Sequence, residues 1–264
     1  PIGRPASLTH AQTGRLACHY CGPCERGCVT LSYFNSIGST LPAAAKTGKM
    51  ELRPHSVVAE VLYDPKTSKA SGVRVIDALN GQNIEYQARV VFLCASAIES
   101  TRLLLNSKGN RFPEGLANGS GTLGRYVMDH HYGSGASGRM PGFLDKKTIG
   151  RRPNGIYIPR FQNVKKENPD FLRGYGMQGG SGRGGWGRGG SMPAYGAEFK
   201  RSLIEDLSPW SLSASGWGEA LPHAANRIPL DDRVNDNWGI PAPRRAVRRP
   251  DTQRASGTTH QTGV

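Results

Sequence analysis

Four of the chain's five cysteines fall inside eleven residues, Cys18-His19-Tyr20-Cys21-Gly22-Pro23-Cys24-Glu25-Arg26-Gly27-Cys28. Gly22, Pro23 and Gly27 keep this stretch from running on as a regular helix or strand, so it has to be a loop. Thiolates so close in sequence can converge on one soft metal centre. Their C-x2-C-x2-C-x3-C spacing reproduces the bacterial ferredoxin run, with Val29 where a proline follows the last cysteine there. Zinc also suits four thiolates, although paired zinc sites usually separate their two halves by a dozen or more residues. Consecutive short gaps favour a cluster whose sulfides add bulk between the ligands. Zinc, disulfides and free thiols stay open as alternatives.

At 264 residues the chain can bury one large core or two modest ones. No run of about 18 apolar residues predicts a membrane-spanning helix. The first residue is Pro1, and the chain reads as a piece of a longer one. A net charge of +14 raises nucleic acid or an anionic surface as partner. The excess is dispersed, however, and part of it sits in Arg244, Arg245, Arg248, Arg249 and Arg254.

Along the chain, Ser39 or Thr40 can cap a short helix that Pro42 favours and Gly48 ends. From Met50 the period becomes two. Met50–Pro54 and Ser56–Tyr63 read as strands, Ala70–Asp77 as a returning strand, and Asn80-Gly81 as the turn into Asn83–Ala88. Arg89-Val90-Val91-Phe92-Leu93-Cys94-Ala95-Ser96 is nearly continuous in apolar residues, which predicts a parallel strand covered on both faces, with Cys94 a buried thiol. The small residues Ala95-Ser96-Ala97 then lead into a helix over 98–107. Strand, small-residue turn and helix together can bring backbone N–H groups against a ligand.

Residues 132–149 read as turns and Gly155–Phe161 as an edge strand. Gly174–Gly190 reads as a Gly-rich loop. Its Arg and Trp also give an alternative: a zinc-knuckle protein with an RGG-like nucleic-acid arm. A helix near Phe199–Leu207 and strands at Trp210–Gly218 and Asn226–Asp231 follow. Beyond Pro241 the composition predicts a disordered tail.

Several stretches together resemble the glucose–methanol–choline (GMC) family of flavin oxidoreductases. Ala95–Ser107 looks like its second signature, and Leu123-Gly124-Arg125-Tyr126-Val127-Met128-Asp129-His130 looks like its "GRNLMDH" stretch. His55–Val61 is similar to the strand whose valine backbone meets the adenine of FAD, and that residue is Val58 here. Asn226-Arg227-Ile228-Pro229-Leu230-Asp231 resembles a late family strand. With the cysteines, the likeness narrows to iron–sulfur-containing sugar dehydrogenases, of the glucoside 3-dehydrogenase and FAD-dependent glucose or gluconate dehydrogenase type.

The resemblance implies a mixed α+β and α/β fold. Residues 1–130 would form part of an FAD-binding domain (a parallel strand plus a β-meander), and 131–240 part of an antiparallel-sheet substrate domain. The tail would be 241–264. FAD would rest against Val58, Ala95, Ser96 and Ala97, with Asp129 and His130 near the flavin. A [3Fe–4S] or [4Fe–4S] cluster would sit on Cys18, Cys21, Cys24 and Cys28; three iron atoms need only three of them. The implied partners are a sugar or alcohol substrate, a cytochrome c-type acceptor and a small accessory subunit. Nucleic acid is not implied, and membrane association would run through partners. A periplasmic setting follows from the same likeness, although five cysteines do not fix the compartment.

No strand leads into a G-x-G-x-x-G here, so the dinucleotide motif is expected upstream. Gly182, Gly184 and Gly187 match that spacing by chance. The family's C-terminal histidine pair has no counterpart, so no residue is assigned as catalytic.

Overall fold

A computed structural model describes residues 7–12, 14–21, 24, 27–146, 155–167, 173–183, 186–205 and 208–247. In chain order the elements are α1 (Thr40–Ala45), β1 (Ser56–Asp64), β2 (Lys69–Asp77), β3 (Asn83–Gln87) and α2 (Ala97–Asn106). They continue as β4 (His130–Met140), β5 (Ile156–Ile158), β6 (Tyr175–Arg183), α3 (Gly196–Glu205), β7 (Trp210–Glu219), β8 (Leu230–Asn235) and β9 (Pro241–Pro243), with a 3-10 helix at Trp186–Ser191. Two compact units result, one drawn from Pro1–Glu51 and His130–Glu219, the other from Leu52–Asp129 and Ala220–Pro250. Among the described residues no helix is long and apolar enough to cross a membrane.

The second unit is built on the meander β1-β2-β3, all antiparallel. Its turns form where side chains cap the backbone. Asp64 accepts hydrogen bonds from the Lys66 N–H and the Thr67 hydroxyl. Asp77 accepts the Leu79 N–H and Asn80 the Gln82 N–H, with Gly81 at φ +75° supplying the left-handed step. Alternation along β1 buries Ala59 and Val61, while on β2 the adjacent Val75 and Ile76 are both buried, one on each face of the strand. Gly72 is required at its place: a Cβ there would stand 2.0 Å from the Tyr86 carbonyl oxygen on β3.

Helix α2 packs on β1. Ser96 caps it, accepting the Glu99 N–H at 3.2 Å. At the other end the Ser107 hydroxyl donates to the Leu103 carbonyl and accepts the Val61 N–H from β1. Arg102 ties α2 to the β8–β9 hairpin through the Asp236 carboxylate at 2.6 Å and the Ile240 and Pro241 carbonyls.

Three expectations are corrected in this unit. Met50–Pro54 forms no strand. Arg89–Ser96 joins no sheet among the described residues: Phe92 is 83% exposed and Cys94 is exposed, so the parallel strand and the buried thiol are both absent. No described strand lies beside this segment to take up its backbone. The tail does not begin at 241. Pro241–Pro243 is β9, and the N–H groups of Arg244 and Ala246 bond the carbonyls of Pro229 and Arg227. Residues 248–264 lie outside the described residues.

The first unit holds a four-stranded antiparallel sheet in the order β4-β7-β6-β5. Tyr175 and Met177 are its buried residues, packed with Ala214, and the Phe161 ring meets Tyr175 edge-on. The stretch read as a Gly-rich loop is therefore corrected: Tyr175–Arg183 is an interior strand and Trp186–Ser191 a 3-10 helix. Small residues let neighbouring strands approach, since a Cβ at Gly179 would stand 2.2 Å from the Ser213 carbonyl oxygen. The start of the stretch 132–149, read as turns, likewise belongs to a strand, His130–Met140, paired along β7. The expected edge strand is present as β5. Helix α1 forms where expected and Gly48 (φ +67°) follows it, but the Ser39 hydroxyl donates to the Asn35 carbonyl and leaves the helix start uncapped.

Candidate functional site

The residues from α2 and β1 enclose a slot of about 230 Å³ within the second unit. Val57, Val58 and Ala59 supply one side and Ala95, Glu99, Arg102, Leu103 and Asn106 the other, with Ile240 completing it. Its shape follows from the edge position of β1. Strand β2 pairs with one side of β1 only, and Ala59 has no partner in that register because the pairing shifts between Val58 and Glu60. The free edge is closed lower down, where Ser107 takes the Val61 N–H at 2.8 Å. Above that staple, Val57, Val58 and Ala59 line the slot.

Of the four residues expected to hold a cofactor, the structure brings Val58 and Ala95 to this slot from separate elements. Ser96 and Ala97 stand beside it, as the cap and first residue of α2. Sequence reasoning missed Glu99, Arg102, Leu103 and Asn106. Their spacing places them on one face of a helix, so the signal was present once α2 was assigned. Ile240 gave no local signal.

Among the described residues one cation lines the slot, Arg102, and it is engaged by Asp236, two carbonyls and the Glu99 carboxylate at 3.4 Å. Burial pushes the Asp236 carboxyl up, but hydrogen bonds from Arg102 and from the Ile240 and Trp238 N–H groups outweigh it and hold the group below the ordinary carboxylate value. One cation, Arg102, thus faces two carboxylates in this polar wall. The remaining walls are mostly apolar, which suits the flat face of a nucleotide base.

The cysteine run lies in the first unit. Backbone hydrogen bonds close its loop at the base: Leu16 N–H to Thr30, Cys18 N–H to Leu8, and Leu8 N–H to Ser32. Arg15 adds bonds to the Leu31 and Ser32 carbonyls. Cys28 Sγ sits among the Thr30 hydroxyl at 3.4 Å, the Tyr33 N–H at 3.5 Å and the Ser32 hydroxyl at 3.7 Å. The Thr30 contact, then the Tyr33 N–H, lower its thiol to about 6 against the opposing effect of burial. Cys18 Sγ accepts the Tyr20 N–H. All four thiols are free, and among the described residues no three Cys, His, Asp or Glu side chains gather at metal-binding distances. As placed, they do not form a cluster's ligand set.

In the same unit the His130 ring meets Trp217 edge-on, with ring centroids 5.5 Å apart. The His131 side chain lies outside the described residues.

Residues 6–131 match the family model described as GMC oxidoreductase. The 2-methyl-1,2-propanediol dehydrogenase of Mycolicibacterium austroafricanum is 32% identical, over 90% of this chain and 43% of that protein. The paromamine 6'-oxidase of Streptomyces fradiae is 28% identical, over 47% of this chain and 23% of its own length. The fructose dehydrogenase large subunit of Gluconobacter japonicus is 29% identical, over 44% and 21%. The chain spans less than half the length of these curated relatives.

Proposed function

The chain belongs to the GMC oxidoreductase family, and on that premise we propose that it supplies the adenine-side wall of an FAD site in an enzyme oxidising CH–OH groups of a sugar or alcohol. One observation carries this reading. Two of the four residues whose sequence context points to FAD, Val58 and Ala95, line the same slot although they come from different elements. The flavin, when bound, supplies the hydride acceptor. This chain's part is to seat the nucleotide: the β1 edge at Val58 offers backbone groups to a base, and Ala95 keeps the opposite wall clear. Sugar or alcohol as substrate rests on the names of the relatives, a diol dehydrogenase and a fructose dehydrogenase among them.

Calorimetric titration of ADP and FAD tests the slot. Ala95→Leu fills it from the helix side, and affinity should fall at least tenfold while thermal stability holds. Equal affinity in a folded Ala95→Leu protein refutes the assignment.

The finer reading, one-electron transfer through an iron–sulfur cluster to a cytochrome-type acceptor, rests on the spacing of Cys18, Cys21, Cys24 and Cys28 and draws nothing from the placement of their side chains. The likeness to a protein named as a large subunit extends the same proposal to a small accessory subunit. Anaerobic purification with iron and acid-labile sulfide analysis decides it: brown protein with iron supports the cluster, and colourless protein with zinc or no metal ends it. No observation favours the nucleic-acid alternative.

A further inference from the structure

We infer that Glu99 selects the base in the slot, accepting a hydrogen bond from an exocyclic amine and turning phosphate away. The inference rests on the nucleotide reading above and adds a specificity residue to it. The local sequence Ser96-x-x-Glu99 is that of a capping box, in which the glutamate reaches back to the N–H of the capping residue. Only half of that box is made. Ser96 accepts the Glu99 N–H, but the Glu99 carboxylate bonds Arg102 Nη1 at a long 3.4 Å and lines the slot with 52% of its side chain exposed. A carboxylate diverted from its local partner thus presents acceptor capacity to whatever enters.

Charge decides what that ligand is. A helix start ordinarily draws anions, yet at α2 the first turn carries Glu99 itself. The cation that could offset a phosphate, Arg102, already binds Asp236 at 2.6 Å and the carbonyls of Ile240 and Pro241 at 3.0 and 2.9 Å. Phosphate would therefore meet a wall in which two carboxylates, Glu99 and Asp236, share one cation. A neutral base carrying an amine meets an acceptor, with Val58, Ala59, Leu103 and Ile240 covering its faces. Adenine carries such an amine. Hypoxanthine has an oxygen at that position, which sets acceptor against acceptor, and differs further only in carrying a proton on N1.

Competition binding with AMP and IMP separates the two readings. The intact chain should prefer AMP by roughly 10–100-fold, the range for one hydrogen bond to a charged group. Glu99→Ala should bring that ratio close to one, and Glu99→Gln, which keeps a carbonyl acceptor and the side-chain length, should retain part of it. Circular dichroism of both variants verifies that α2 persists. If AMP binds and Ala95→Leu weakens it, but Glu99→Ala leaves the AMP-to-IMP ratio unchanged, the role of Glu99 is overturned and the slot survives. If the unaltered chain binds neither nucleotide, both readings fall together.

Discussion

Replacing Ser107 by alanine removes one oxygen atom and unmakes the staple between α2 and β1. The hydroxyl is 95% buried with its residue (5% exposed), donates to Leu103 at 2.7 Å and accepts the Val61 N–H at 2.8 Å. The two bonds are not equivalent. The Leu103 carbonyl keeps a second donor, the Ser107 N–H at 3.0 Å. The Val61 N–H lies in a residue only 6% exposed, on the β1 side opposite β2, and is left without a partner. An orphaned buried donor costs about 1–3 kcal/mol, and the methyl-sized side chain leaves little new void. Ser107→Ala should therefore lower urea-unfolding stability by about 1–3 kcal/mol with an unchanged m-value. Ser56→Ala, an exposed hydroxyl at the start of the same strand, should stay within about 0.5 kcal/mol. Amide exchange at Val61 gives a local readout and should quicken in the Ser107 variant. If Ser107→Ala matched Ser56→Ala in stability and Val61 exchange did not change, the staple would carry no energy and the argument for it would fail.

Asp236→Asn should destabilise the chain at pH 7. Because Asp236 titrates below its unfolded value of about 3.9, its contribution is present above that value and fades as pH falls through the lower folded one. The gap between wild type and variant should thus shrink between pH 5 and pH 2 in urea titrations, and a gap that widened would refute the pairing. Gly72→Ala should cost about 3 kcal/mol or more, since its Cβ would stand 2.0 Å from a backbone oxygen of the paired strand; a near-neutral thermal melt would contradict the register. Thr30→Val with Ser32→Ala should slow thiol modification of Cys28 at pH 7 by severalfold, because the hydroxyls that hold its thiol at about 6 are gone; an unchanged rate would refute that cause.

The meander was legible because it is local. Asp64, Asp77, Asn80 and Gly81 close its turns by their own side chains and conformations, and the period of two in β1 marks Ala59 and Val61 as buried. Half of the slot was legible for a related reason: Val58 and Ala95 belong to short patterns. What was not legible depends on distant partners. Glycine is a poor strand former in isolation, so Tyr175–Arg183 could not be read as a strand without β5 and β7 on either side of it. Conversely, Arg89–Ser96 has the composition of a covered strand, but composition cannot supply neighbours. The residues just after β9 looked disordered because Pro and Arg carry no apolar period, whereas Arg244 and Ala246 are held by backbone bonds to residues 229 and 227. The cysteine spacing was plain to read; where the sulfurs point depends on hydrogen bonds from Tyr20, Thr30, Ser32 and Tyr33.

The segment Val90-Val91-Phe92-Leu93-Cys94, exposed at Val90, Phe92 and Cys94, has a consequence for handling the protein in solution. Five successive uncharged, hydrophobic residues, with neither proline nor glycine among them, form an aggregation-prone window. A net charge of +14 repels copies at long range, but salt at physiological strength screens that repulsion within about 8 Å. Colloidal behaviour then passes to these few side chains, and a single lysine at position 92 should do more to keep concentrated samples clear than the thirty-four cations already present.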